Sequence, residues 1–356
     1  MKKVYQTAKY RKWHQNSSKK KSKKNIKRKG KLYDPFKNPF YLKDVTKNQK
    51  EKFKSPICAP EVLSLLENTE KTLCFFVKLR NNRHISVKSR NKFIQIDLRD
   101  VIKVDFSSLC VLNAIIEDLM GKDIFTRGNF PIDSKIRKKI EESGLLNNMS
   151  DNLGNKFQTS NKSELLFIQS GSKKLTRDEN KKISKLINNA VNHLTGKANH
   201  CTQLRTILLE ICGNSIEWGG TLNRRWLLGV KYEDNEVIFT ITDVGKGILN
   251  TIQRKFKNII SDMASNSNDL DILRNAFIKK YGSSSQEINR NKGLPAIKKG
   301  YDDGLILNLK VVTNNVILHF DRESDSKILN KHWAFEGTLY RWVLTKESLE
   351  NRLTRK

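Results

Sequence analysis

The sequence predicts an α/β protein, and three observations predict it. Strand-like runs alternate with helically spaced apolar residues between about residues 72 and 146. After residue 177, two amphipathic helices lead into pairs of β-rich runs. The first 54 residues fit neither pattern and are read as lying outside the fold. At roughly 150 residues per domain, 356 residues suit about two domains.

The start of the chain is set apart by charge. Residues 1–32 carry fourteen Lys and Arg and no acid, nearly half of the formal net charge of +31. Such a segment buries too little apolar surface to offset its ordering entropy, which predicts a disordered basic tail. Tyr5, Tyr10 and Trp13 interleave with the lysines, a pattern that suits stacking on single-stranded bases together with phosphate contact. It also suits an anchor to an acidic protein or an anionic surface, or a tail that only solubilises. The polar, turn-rich stretch from Pro35 to Lys54 completes a tail and linker over 1–54.

A first folded unit is expected over 55–150. Its strand-like runs are TLCFFVKL at 72–79, KFIQIDL at 92–98 and IFTRGNFP at 124–131. Leu109, Leu112, Ile115, Ile116 and Leu119 lie at helical spacing, and a second helix over 134–146 closes at Gly144. Residues 151–176 read as a connector whose apolar LLFI forms an edge strand. A second unit, 177–346, opens with a helix bearing Ile183, Leu186, Ile187, Ala190, Val191 and Leu194 on one stripe. Residues 347–356 form a C-terminal tail.

Composition excludes several classes. No apolar run approaches the roughly 18–20 residues of a membrane span, and the basic start lacks a secretory h-region, so a cytoplasmic protein without a membrane span is expected. Cys58, Cys74, Cys110, Cys201 and Cys212 show no metal-ligand spacing, and no pair of histidines does. His193, alone on its helix, reads as a surface or capping residue.

The chemistry lies in the second unit. In the helix over 202–218, Glu210 and Asn214 are four apart and stack on one flank. An acid and an amide so placed can activate water and offer an oxygen to Mg²⁺, although the same pair alone is more often a solvated flank. Strands at 224–232 and 236–243 then run into Asp243-Val244-Gly245-Lys246-Gly247. A carboxylate at a strand end followed by GxG admits a planar base close to the backbone, with Asp243 accepting from an exocyclic amine. Further on, Lys292 and Gly293 precede Pro295 at the opening of a helix, the features of a phosphate-binding helix end. Strands at 304–313 and 315–320 follow, and Gly337-Thr338 opens the last strand.

An ExxxN helix, a DxGxG turn, a late KGL turn and a terminal GT strand, in this order, resemble the ATP-binding domain of the GHKL superfamily (gyrase, heat-shock chaperones, histidine kinases and anti-sigma serine kinases). The resemblance spans about 177–345. It implies a Bergerat α/β sandwich, a mixed sheet backed by helices, with ATP and Mg²⁺ as ligands and residues 249–290 as a lid. It implies Glu210 as general base, Asn214 as the Mg²⁺ ligand, and Asp243 as reader of the adenine amine. Gly245 and Gly247 would admit the nucleotide, Lys292 and Gly293 would border the phosphates, and Thr338 would complete the adenine pocket. Trp218 departs from the pattern, standing where many relatives have His, as does Asn291, where a richer glycine pattern often appears.

The first unit, with IDLRDVIKVDFSSLCVLNAIIEDL at its centre, resembles the STAS domain of anti-anti-sigma factors over about 72–149. That resemblance implies a partner-binding or self-associating face and puts Ser107 at the phosphoacceptor position. The plainer reading is that Ser107 and Ser108 cap the helix. Three functions follow: a slow ATPase acting as a nucleotide-switched regulator with a basic handle, a serine/threonine kinase acting on a STAS-like partner such as Ser107 of another copy, and a non-hydrolysing ATP sensor. No paired dimerisation helices precede the ATP unit and no transducer domain follows it, which disfavours a histidine kinase or a gyrase-like machine.

Overall fold

The structure is a computed structural model that describes residues 53–88, 91–157, 166–172, 175–197, 199–218, 225–255, 268–278 and 293–350, with Asn16 alone before them. The basic tail and the C-terminal tail from 351 onward therefore lie outside the described residues, as do most of 256–292.

The N-terminal part begins with β1 (Ile57–Cys58), β2 (Val62–Leu63) and α1 (Thr69–Arg80). Next come β3 (Ser86–Lys88), β4 (Asn91–Asp97), β5 (Lys103–Val104) and α2 (Phe106–Met120). β6 (Ile124–Gly128), α3 (Ser134–Glu142) and β7 (Ser150–Asp151) complete it. Its sheet runs β1-β4-β6-β7, all parallel, with β3 antiparallel on β4. α3 ends before Gly144, whose φ of 73° supplies the left-handed turn.

The expected strand over 72–79 is instead the body of α1. A short apolar run does not reveal its period, and here the ends decide it. Glu70 lies in the first turn and Lys78 and Arg80 in the last, each matched to the helix dipole. Leu73, Phe76 and Leu79, three apart, are buried together.

The C-terminal part opens on β8 (Leu166–Ser172), α4 (Arg177–Thr195) and α5 (Thr202–Trp218). α4 starts at a reciprocal capping box between Thr176 and Glu179. β9 (Arg225–Tyr232) and β10 (Glu236–Asp243) form a hairpin. His193 on α4 steadies its turn, with Nε2 2.7 Å from the Glu233 carbonyl. Then come α6 (Ile248–Lys255), α7 (Asp269–Phe277) and α8 (Gly293–Asp302). β11 (Leu307–Asn314), β12 (Val316–His319), β13 (Lys327–Ile328), β14 (Phe335–Thr345) and α9 (Lys346–Glu350) close the chain.

These strands form one sheet in the order β13-β12-β11-β14-β10-β9-β8, with the expected edge strand β8 at one border. The mixed pairing expected here is replaced by antiparallel pairing at every step, and the parallel pairs belong to the N-terminal sheet. Side chains alternate between its faces. Val230, Phe239, Ile241, Val311 and Trp342 share a core with the stripes of α4 and α5. Leu227, Val312, Ile317 and Leu339 share a second core with α1, α2 and the N-terminal sheet.

The second core means that the sheet is covered on both faces, not backed on one. α2 fills the gap between the two sheets and is accordingly apolar nearly all round. Its approach is close: a Cβ on Gly229 would lie 2.4 Å from the Cys110 sulfur. Lys310, 3% exposed, donates from Nζ to the Leu65 carbonyl at 2.6 Å, joining β11 to the N-terminal part.

Ser107 and Ser108 are not the caps of α2. Asp105 is, accepting from the Ser108 N–H at 2.7 Å. The Ser108 hydroxyl accepts from Leu65 N–H, and Ser107, 2% exposed, lies 3.0 Å from the Thr240 hydroxyl. A serine held there is closed to a second protein, so the acceptor role given to it does not fit this packing. Residues 51–356 form one compact unit. Among the described residues no helix is long and apolar enough to cross a membrane.

Candidate functional site

Asp243 ends β10 beside Thr338 on β14 and Trp226 on β9. Its carboxylate is 7% exposed and accepts from Gly245 N–H at 2.8 Å through Oδ1 and from the Ser215 hydroxyl at 3.3 Å through Oδ2. Burial pushes its pKa up to about 6, against the lowering effects of the Gly245 N–H, the Ser215 hydroxyl, the Arg80 charge and the Thr338 hydroxyl. Gly337 is required where β14 passes this point. Its φ is 148°, and a Cβ would meet the Asp243 carbonyl at 2.2 Å.

The loop after Asp243 is fixed from below. Gly247 has a φ of 78°, and a Cβ on it would fall 2.4 Å from the Asn314 Oδ1. Asn314, itself left-handed at φ 51° in the β11–β12 turn, accepts from Leu249 N–H at 3.0 Å and donates to the Lys246 carbonyl at 2.9 Å. Thr313 accepts from Ile248 N–H and donates to the Gly337 carbonyl. One short turn thus holds both the DVGKG loop and the GT strand.

Helix α5 links this corner to the start of α8. Ser215 reaches Asp243, while the Asn214 amide lies against Gly293, where a Cβ would sit 2.4 Å from Nδ2. α8 lies close along α5: Gly300, two turns after Gly293, would place a Cβ 2.4 Å from Ile207, and Gln203 donates to Asp303 at 2.8 Å. The first residue of α8, Gly293, is thus buried against Asn214. Glu210 is half-buried one turn before Asn214 on α5. Lys292 lies outside the described residues.

The span 249–290 is anchored in two places. α6 buries Leu249, and α7 buries Leu273 and Phe277, whose ring packs on Phe320. The remainder of that span lies outside the described residues.

Asp243, Gly245, Gly247 and Thr338 thus converge at one corner, and Asn214 and Gly293 at an adjoining one. Sequence reasoning missed Ser215, Thr313, Asn314 and Arg80. Asn314-Asn315 did carry a turn signal. Arg80 carried none: from the end of α1 it donates to the Val244 carbonyl at 2.8 Å and to the Glu336 carbonyl. Among the described residues no group of three or more His, Cys, Asp and Glu could hold a metal ion. The Asn214 amide offers an oxygen beside Gly293. A scan against protein-family models finds no family that matches this chain, and a search of curated proteins finds no matching relative.

Proposed function

We propose that the chain binds ATP with Mg²⁺ at the corner formed by α5, β10, β14 and α8, and acts as a slow ATPase that switches a regulator. The reading keeps the GHKL resemblance and the Bergerat-type architecture that goes with it. One observation carries it: the adjacent residues Asn214 and Ser215 join a buried carboxylate to the N-terminus of a helix. The first suits a base and the second a phosphate chain.

Asp243 would accept from the exocyclic amine of adenine. Guanine turns a carbonyl toward the same place, where two acceptors oppose each other. Thr338 and Ser215 hold the carboxylate, and Gly337 and Gly247 let the neighbouring backbone close tightly around it. The N–H groups at Gly293 would meet phosphate oxygens, with Lys292 beside them. A donor set of one amide and one carboxylate fits Mg²⁺, which retains waters and is bound largely through substrate phosphates. When bound, the ion would neutralise charge on the transferring phosphate, and Asn214 would hold it. Glu210 would orient and deprotonate the attacking water.

Binding of ATP, GTP and ADP by calorimetry with and without Mg²⁺ tests the reading. Preference for adenine is expected, with affinity at least about tenfold weaker in Asp243→Ala, the loss of one charged hydrogen bond. Asn214→Ala should remove the Mg²⁺ dependence. Unchanged affinity in both variants would overturn the site. With γ-labelled ATP, free phosphate supports hydrolysis, label on protein supports a kinase, and neither supports a sensor. The burial of Ser107 counts against transfer to that residue of a second copy.

A further inference from the structure

We infer that Arg80 is a positioning residue of the base-recognition corner, supplied by the N-terminal part of the chain, which sets the charge state and place of Asp243. The inference rests on the nucleotide reading of that corner for its consequence, though not for its geometry.

Arg80 ends α1, and its side chain is 15% exposed. One guanidinium arm donates to the Val244 carbonyl at 2.8 Å and another to the Glu336 carbonyl. Val244 follows Asp243 directly. Glu336 precedes Gly337-Thr338, the pair opposite Asp243. A single planar fork therefore ties together the two paired backbone segments that carry Asp243 and Thr338, and lysine could not span both in this way. The third link is a carboxylate: Glu336, 72% exposed, lies 3.8 Å from Nη2 at the rim.

Among the described residues, the elements packed around Asp243 also carry Glu336, the Tyr340 phenol and Arg341 on β14, Lys231 on β9, Glu236 on β10, Arg205 and Glu210 on α5, and Lys246 on its own turn. Tyr340 is pushed up by burial and by Asp243 itself, so it stays neutral. Arg80 is the cation that favours ionised Asp243, in a place where burial opposes ionisation. An ionised carboxylate accepts from an amine with both oxygens, whereas its protonated form offers a donor in the wrong place. A shift of α1 would therefore reach the base without any residue of the N-terminal part touching it.

The test uses full-length protein, ¹³C-labelled, with the Asp243 carboxyl resonance assigned by comparison with Asp243→Asn. In nucleotide-free protein, Arg80→Gln should raise the Asp243 titration midpoint by about half a pH unit or more, and Arg80→Lys should restore most of it. Glu336→Gln keeps the backbone bond and removes the opposing carboxylate, so the midpoint should fall slightly. ATP affinity of Arg80→Gln should drop more at pH 6.5 than at pH 8, by about 1.5-fold for a half-unit shift. Should Arg80→Gln fail to fold, the Glu336→Gln titration still decides. Unmoved midpoints in Arg80→Gln and Glu336→Gln, or an equal loss of affinity at both pH values, would overturn the inference and leave Arg80 a structural tie. Absence of ATP binding by the wild-type chain would refute the nucleotide reading alone, since the midpoints are measured without nucleotide.

Discussion

Asp243 is held at an energetic cost, and that cost can be separated from its role. Its carboxyl rises from an ordinary 3.8 to about 6 because burial outweighs the bonds from Gly245, Ser215 and Thr338 and the Arg80 charge. Below about pH 4 both folded and unfolded chains are protonated there and nothing is lost. Between about pH 4 and 6 the unfolded chain has released its proton while the folded chain keeps it, so folding loses about 3 kcal/mol, which stays constant above that. Asp243→Asn keeps the shape without the charge. Its urea midpoint should exceed that of wild type at pH 7.5 and converge with it near pH 4, and under the proposed function its ATP affinity should fall. A variant less stable than wild type at pH 7.5 would show that burial of this charge is not the cost inferred. Asp243, Asn214 and Gly293 were legible in sequence because each belongs to a short local pattern. Arg80 was not, because its carbonyl partner Val244 is 164 positions away and any basic residue on a helix end looks alike.

At the level of elements, the turn at Asn314 decides whether the loop after β10 can form. Gly247→Ala would place a methyl in a left-handed conformation and against the Asn314 amide, at a cost of about 1–3 kcal/mol. Asn314→Gly removes the clash and also the bonds to Leu249 and Lys246. The two substitutions share one contact, so their combined loss in urea denaturation should be smaller than the sum. Strict additivity would mean that the loop is held elsewhere. The amphipathic stripe of α4 could be read from sequence because one face of it meets a single layer, and the β9–β10 hairpin because a polar Glu-Asp-Asn turn separates two β-rich runs. α1 could not, since Phe75 and Phe76 are both buried and an apolar run hides its period. α2 was recognised as a helix, but its apolar residues on every side gave no hint that two layers enclose it.

The whole molecule differs most from a pair of independent domains. The surface of the large sheet carrying Leu227, Val312, Ile317 and Leu339 has no solvent face, because α2 and the N-terminal part complete its core. Sequence patterns report which residues of a strand are apolar, and they do not say whether the covering layer comes from the same unit. Gly229, which admits Cys110 and Phe106, and Ser107, bonded to Thr240, belong to that junction. Two consequences follow from burial of this kind. A fragment beginning at residue 160 should aggregate, since it would expose the apolar face and strip Lys310 of its Leu65 partner. In the full chain, a dye on exposed Cys58 reports the N-terminal part, while tryptophan emission reports the C-terminal part, where Trp226 and Trp342 are buried. Both signals should give one coincident denaturation curve, and Gly229→Val, which drives a side chain into α2, should lower both midpoints together. Separate curves, or a Gly229→Val effect confined to one probe, would mean that the two layers fold independently and that Arg80 ties together parts able to come apart.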